Sequence, residues 1–240
     1  MIGERAIVAL LAALVLGACS PQAPGAPPPS APSAPTPPVE SRPHRQGVPV
    51  NQLFEADVNL VKQAVDAGAD LETRDDHGRT PLLVAVTEDR VEIAEILVKA
   101  GADPNALDGR HDTPWLVTGV TGSVPMAKLL LEAKPDLTIT NRFGGVSLIP
   151  ASERGHVEYV RLVASSGIDV DHVNDLGWTA LLEAVILGDG GPRHQEVVRA
   201  LTAAGADVGL ADKKGVSPLA HARSKGQTTV ARILGEAGAS

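Results

Sequence analysis

Two landmarks recur along this chain with a single period, and they constrain its fold more than any other feature. The first is a Thr in front of Pro-Leu. In register it falls at Thr80, Thr113, Val146, Thr179 and Ser217, at spacings of 33, 33, 33 and 38. The second is the Gly of a closing Gly-Ala. It falls at Gly68, Gly101, Lys134, Gly167, Gly205 and Gly238, at spacings of 33, 33, 33, 38 and 33. Landmarks at opposite ends of the unit skip by five at the same place, so five residues are inserted inside one copy. A unit this short cannot enclose a core of its own. It buries its apolar face only on neighbouring copies, which makes the chain a stacked array.

The best copy runs from Asp75 to Asp103. Asp75-Asp76-His77-Gly78-Arg79-Thr80-Pro81-Leu82 reads as a Gly-bearing turn followed by a capped short helix. Thr80 caps through its hydroxyl, and Pro81 fits the first helical position, where a missing N–H costs nothing. In the second helix Val91, Ile93, Ala94, Ile96, Leu97 and Val98 supply the buried side. Gly101 fits a left-handed helix exit. This pattern of D-x-x-G-x-T-P-L, a second helix and G-A-D resembles the ankyrin repeat. The resemblance implies an all-α repeat fold over residues 50–240. It is a solenoid of about six helix-turn-helix units with short hairpin-like turns, the first and last acting as caps.

Composition agrees. Two Trp, two Phe and one Tyr in 240 residues are too few for a conventional core, whereas Ala, Leu and Val at helical spacing suit thin stacked helices. A net charge of −8 argues against a nucleic-acid partner, which would require a concentrated basic surface.

Residues 1–18 read as a signal peptide. The uncharged run from Ala6 to Ala18 is too short to span a bilayer. Leu16-Gly17-Ala18-Cys19 resembles the bacterial lipobox, which implies lipidation at Cys19, and Ser20 after it implies transfer to the outer membrane. Cys19 is the sole Cys, so no intrachain disulfide can form. Residues 19–49 form a tether, with 11 Pro between Pro21 and Pro49. Extended polyproline at about 3.1 Å per residue would reach roughly 90 Å. The spacings Pro24–Pro27, Pro29–Pro32 and Pro32–Pro35 also match Pro-x-x-Pro ligands, although spacing is the simpler role.

The other copies depart from the pattern at definite places. The first is degraded, with Gly47-Val48-Pro49 at its turn and Leu53 and Phe54 expected to pack its short first helix on the second. In the third, His111 takes the turn Gly position, Trp115 is expected in the core, and Lys134-Pro135 should alter the helix exit. In the fourth, Val146-Ser147 replaces Thr-Pro, and Pro150 is expected to remove one helical hydrogen bond, making this the least regular copy. The fifth carries Asp189-Gly190-Gly191-Pro192-Arg193, expected to lengthen the connection and leave its helices unchanged. The sixth ends on a polar-enriched helix.

No constellation carries chemistry. The seven His show no zinc spacing, and neither G-x-S-x-G nor a P-loop occurs. His156 and His194 share a structural slot; His77 and His111 near the turn tips are expected to be surface residues, a metal pair being the alternative. Asp75, Asp103, Asp108, Asp207 and Asp212 follow the period as turn and cap residues. The chain therefore reads as non-enzymatic, without cofactor, metal or small-molecule substrate.

What remains is a surface. The resemblance implies a concave groove lined by turn tips and first helices, where a protein partner binds a monomeric array. Tip candidates are Asp76, His77, Arg79, Arg110, Asp112, Arg142, Phe143, Asp175, Leu176, Trp178, Lys213 and Lys214, and the first helices add Glu88, Thr121, Arg154 and Lys225. Trp178 sits where the family often has Trp, so packing and binding both stand open. Phe143 beside Arg142 fits an interface anchor; the alternative is that it folds back onto Pro150. Three roles are consistent with a lipid-anchored, periplasm-facing ankyrin protein: a scaffold for one partner, an immunity protein against a toxin or lipase, or an accessory of a stress-defence enzyme such as a catalase.

Overall fold

The computed structural model describes residues 50–55 and 57–240. The signal segment, Cys19, the Pro-rich stretch with its Pro-x-x-Pro spacings and the Gly47-Val48-Pro49 turn lie outside the described residues. A 3₁₀ turn at Val50–Phe54 precedes eleven helices among the described residues: α1 (Val58–Asp66), α2 (Pro81–Thr87), α3 (Val91–Lys99), α4 (Pro114–Thr121), α5 (Val124–Glu132), α6 (Leu148–Glu153), α7 (Val157–Ala164), α8 (Ala180–Ile186), α9 (Pro192–Ala203), α10 (Pro218–Ser224) and α11 (Thr228–Glu236). They make six stacked pairs. The first helices α2, α4, α6, α8 and α10 pack in one row, and α1, α3, α5, α7, α9 and α11 pack in a second. One continuous apolar core runs between the rows from Leu53 to Leu234.

Each pair is started and stopped by the residues that set the period. Thr80, Thr113, Thr179 and Ser217 accept hydrogen bonds from the N–H groups of Leu83, Leu116, Leu182 and Ala220 at 3.1–3.2 Å. Such caps each contribute about 1 kcal/mol. Gly68, Gly101, Gly167, Gly205 and Gly238 have φ of 79–99°, the left-handed exit. Trp115 and Leu53 are fully buried and Phe54 is half-buried, as expected.

Three expectations need correction. Pro150 removes no helical bond. It is the third residue of α6, where the N–H would have had no intrahelical acceptor. The fourth pair is nevertheless the least regular. Its α6 has only six residues, and Ser147 is itself helical with no side-chain cap. Nor do Lys134-Pro135 reshape the helix exit. Lys134 adopts φ of 55° and takes the place of Gly, its N–H bonding Leu131 O at 3.0 Å. What is lost is the next bond, because Pro135 has no N–H. Finally, the insertion does change a helix: α9 has 12 residues where the other second helices have 8 or 9. The connection, 187–191, grows from the usual two or three residues to five. Pro192 at the first helical position is what allows the extra turn.

Candidate functional site

The turn tips are built by one repeated device. At the head of each tip an Asp or Asn side-chain oxygen accepts from the N–H groups two and four residues ahead. Asp75 serves His77 and Arg79, Asp108 serves Arg110 and Asp112, and Asn141 serves Phe143 and Gly145. Asn174 serves Leu176 and Trp178, and Asp212 serves Lys214 and Val216, all at 2.8–3.0 Å. The fourth residue of each turn takes positive φ, supplied by Gly78, Gly144, Gly177, Gly215 and, at 63°, His111. A second register of the same device holds the helix exits: Asp103 accepts from Asn105 and Asp207 from Gly209. The periodic carboxylates are therefore turn residues, as their register implies.

Consecutive pairs are tied by a second device. A side chain entering α3, α7, α9 and α11 reaches back to the carbonyls that end the preceding first element. Arg90 donates to Phe54 O, and Gln227 donates to Val185 O and Gly188 O. His156 meets Val120 O at 3.2 Å, and His194 meets Glu153 O at 2.9 Å while its Nδ1 meets Asp189 Oδ1 at 2.8 Å. Both His are structural.

The exposed candidates fall into two groups. Arg79 is committed to its own turn, with Nε and Nη2 at 2.8 and 2.7 Å from Asp75 Oδ2. Burial works against the charge of Asp75, but the bonds from Arg79 and His77 hold its pKa below the usual carboxylate range. Lys213 donates to Asp175 O. Lys225 is turned to Ile186 O and Gly188 O, so it caps α8 and does not present its charge to the groove. Thr121 bonds Thr118 O, Glu88 pairs with Arg90, and Arg154 pairs with Glu153 at 2.8 Å. Trp178 is half-buried.

The second group is free to act. Phe143 does not fold back: it is 56% exposed, with the Arg142 guanidinium 4.4 Å from its ring centroid. Arg142 lies 3.4 Å from Asp112 Oδ2. Burial and the neighbouring Asp108 raise the pKa of Asp112 despite that Arg, so the pair is a loose one. Leu176, in the same position of the next tip, is 52% exposed. The two tips are joined by the Asp175 N–H donating to Phe143 O at 3.0 Å. Asp76, His77, Arg110 and Lys214 are exposed. His77 lies 3.9 Å from its own Asp75, and among the described residues no three His, Cys, Asp or Glu side chains converge to hold a metal ion.

Sequence reasoning missed four exposed apolar side chains: Leu107, Val120, Val173 and Leu187. The signal was present in the register. Leu107 and Val173 occupy a tip position held by Arg74 and Thr140 in other copies. It also missed Glu183 on α8, buried and accepting from Asn174 Nδ2 at 2.9 Å, in a position held by Val84 and Val117 elsewhere.

Comparison with known proteins agrees with this architecture. Residues 77–109 match the ankyrin-repeat family, and residues 115–212 match the family of three ankyrin-repeat copies. The ankyrin repeat protein YahD of Escherichia coli (strain K12) is 38% identical over 198 residues, covering 81% of this chain and 98% of YahD. The solved ankyrin repeat domain ABAYE2397 from Acinetobacter baumannii AYE is 43% identical with a TM-score of 0.76, covering 80% of this chain and 97% of that domain. The ankyrin repeat domain of Bcl-3, a member of the IkappaB family, is 26% identical with a TM-score of 0.73, covering 81% and 87% respectively.

Proposed function

Because this chain belongs to the ankyrin-repeat family, we propose that it is a non-enzymatic scaffold, anchored by lipid at Cys19, that grips one protein partner through its tips and first helices. One observation carries the binding surface. All six large apolar side chains exposed among the described residues lie on the tips (Leu107, Phe143, Val173, Leu176) or at the ends of first helices (Val120, Leu187). None lies on a second helix. Those outer helices instead carry paired charges: Lys99 with Glu95, Arg232 with Glu236, and Arg161 bridging Glu158 and Glu196 at 2.6 Å each. Unpaired apolar area on one side and solvated ion pairs on the other distinguish an interface from a back.

A photo-crosslinking residue at position 143 should give one discrete adduct in cells, and the same residue at 161 none. Truncating Phe143 and Arg142 together to Ala should weaken the captured complex by about 2–4 kcal/mol, as expected for a central aromatic and Arg. Changing Glu158 and Arg161 should alter binding by less than about 1 kcal/mol, the value of exposed ion pairs. An adduct at 161 alone would place the partner on the outer helices.

The anchor rests on Leu16-Gly17-Ala18-Cys19 in front of the Pro-rich tether. With Ser20 following, it favours the outer membrane with the array facing the periplasm. Cys19→Ala should abolish incorporation of labelled palmitate and release the protein from the membrane fraction. Equal membrane association of wild type and variant removes the anchor from this reading.

A further inference from the structure

A stacked array opens first at its weakest interface, because each repeat touches only its neighbours. The fourth and fifth repeats are tied at every depth. At the tips the Asp175 N–H donates to Phe143 O at 3.0 Å, and His172 Nε2 meets Gly144 O at 2.7 Å. Behind them His194 Nε2 meets Glu153 O at 2.9 Å. On the outer helices Arg161 reaches Glu196 at 2.6 Å.

The third and fourth repeats meet differently. Their tips are tied by Arg142 and Asp112, two side chains 3.4 Å apart. Arg161 of α7 is turned to Glu158 and Glu196, and no ion pair joins α5 to α7 among the described residues. In the row of first helices, α4 presents Gly119 to the Ser147 backbone, where α2 and α8 carry Val86 and Val185 in the same register. A backbone contact buries less apolar surface than an interlocked Val. Three bonds remain: His156 Nε2 to Val120 O at 3.2 Å, the Asp136 N–H to Asn105 Oδ1 at 2.8 Å, and the buried Thr118 and Tyr159 hydroxyls at 2.7 Å. Ser147 Oγ lies fully buried near that Tyr hydroxyl but outside hydrogen-bond geometry, and Trp115 Nε1 on α4 is also buried without a protein partner. Buried polar atoms left unpaired favour a motion that admits water to them.

We infer that the array hinges at this interface. Repeats one to three and repeats four to six move as two bodies, and the contact of α4 with α6 opens and closes between them. The Arg142–Asp112 pair is the latch. Asp112 rides on the first body and Arg142, with Phe143 beneath its guanidinium, on the second, so opening separates the pair. The motion belongs to the free chain and does not depend on which surface a partner takes.

The test is thiol labelling under native conditions on the full chain with Cys19→Ala, which leaves an introduced Cys as the only thiol. Ser147→Cys and Ser152→Cys place it at two fully buried positions of the same short segment. Ser147 meets α4, whereas Ser152 holds the register of Gly119 and so is turned towards α8. The thiol at 147 should react with a disulfide reagent at least about tenfold faster than the thiol at 152. Arg142→Gln should raise the rate at 147 about two- to fivefold, the worth of an exposed ion pair, and leave 152 unchanged. Arg161→Gln should not raise the rate at 147. Nitration of Tyr159, the sole Tyr and fully buried, follows the same interface with Ser147 intact, and decides the matter if the Cys variants fail to fold. It should rise in Arg142→Gln and not in Arg161→Gln. Equal labelling at 147 and 152 would mean that α6 unfolds as a unit or stays shut, and faster labelling at 152 would put the motion one repeat on. Either result overturns the hinge, as does a nitration rate that Arg142→Gln leaves unchanged.

Discussion

Replacing Gly119 with Ala should cost the array about 3 kcal/mol, because there is no room for a single methyl group. A Cβ at this position of α4 would lie 1.9 Å from the Ser147 carbonyl oxygen and 2.7 Å from its carbon, both backbone atoms that no rotamer change can move. Relief requires α4 and α6 to separate, and both are packed into the continuous core. Overpacking of this kind costs about 1–3 kcal/mol, and the upper end applies where backbone meets backbone. The loss falls on a central interface, which a solenoid cannot compensate elsewhere. Gly235→Ala is the control. It also sits inside a helix, α11, but nothing lies within 4 Å of its would-be Cβ. It should gain up to about 1 kcal/mol from helix propensity alone. Urea unfolding of the two variants decides the matter: if Gly119→Ala unfolds with wild-type stability, α4 and α6 do not approach as described.

Gly119 also shows where the sequence stops being legible. The period, the helix pairs, the Thr caps, the left-handed exits and the buried Trp115 all follow from single residues in register, because each acts within its own repeat. Gly119 occupies the register of Val86 and Val185, and nothing nearby in sequence explains the change. The reason lies one repeat on. Val146-Ser147 starts α6 a residue late, and the helical Ser147 backbone moves into space that Val fills elsewhere. In sequence the insertion reads as loop because its glycines dominate, although Pro192 marks a helix start. Lys225 reads as a groove residue because its helix is one; only the neighbouring repeat shows that it caps α8. Tip exposure was legible at Phe143 and Leu176, since an apolar residue in a turn has no packing role within the unit. Caps, exits and tips could be read within a repeat, although the effects of Pro150 and Pro192 could not, and relations between repeats were not legible at all.

Glu183→Gln should remove most of the pH dependence of stability between pH 5 and 8. Glu183 is only 5% exposed, and its environment opposes its charge. Burial is the main cause and Glu153 at the end of α6 adds repulsion, while Asn174 and Arg154 offset only part, so the pKa rises to about 7. No other cation on the packed elements answers it. From α10, His221 is turned to Asp212 at 2.9 Å and Lys225 to the carbonyls ending α8; from α9, His194 is turned to Asp189 and Glu153 O. The folded state therefore holds a proton that the unfolded chain releases near its ordinary value of 4.5. Between these values folding takes up a proton, so stability falls as pH rises, by on the order of 3 kcal/mol once pH exceeds about 7. Asp75, Asp189 and Asp212 act in the opposite sense. Their lowered pKa values mean stability is lost only in acid, below about pH 4, outside this window. Gln keeps the acceptor for Asn174 Nδ2 and carries no charge. The variant should match wild type at pH 5 and exceed it by about 2–3 kcal/mol at pH 8, read from urea midpoints at several pH values. Parallel curves for the two proteins would mean that Glu183 is ionised in the fold at no cost, and that the packing around α8 is looser than it stands.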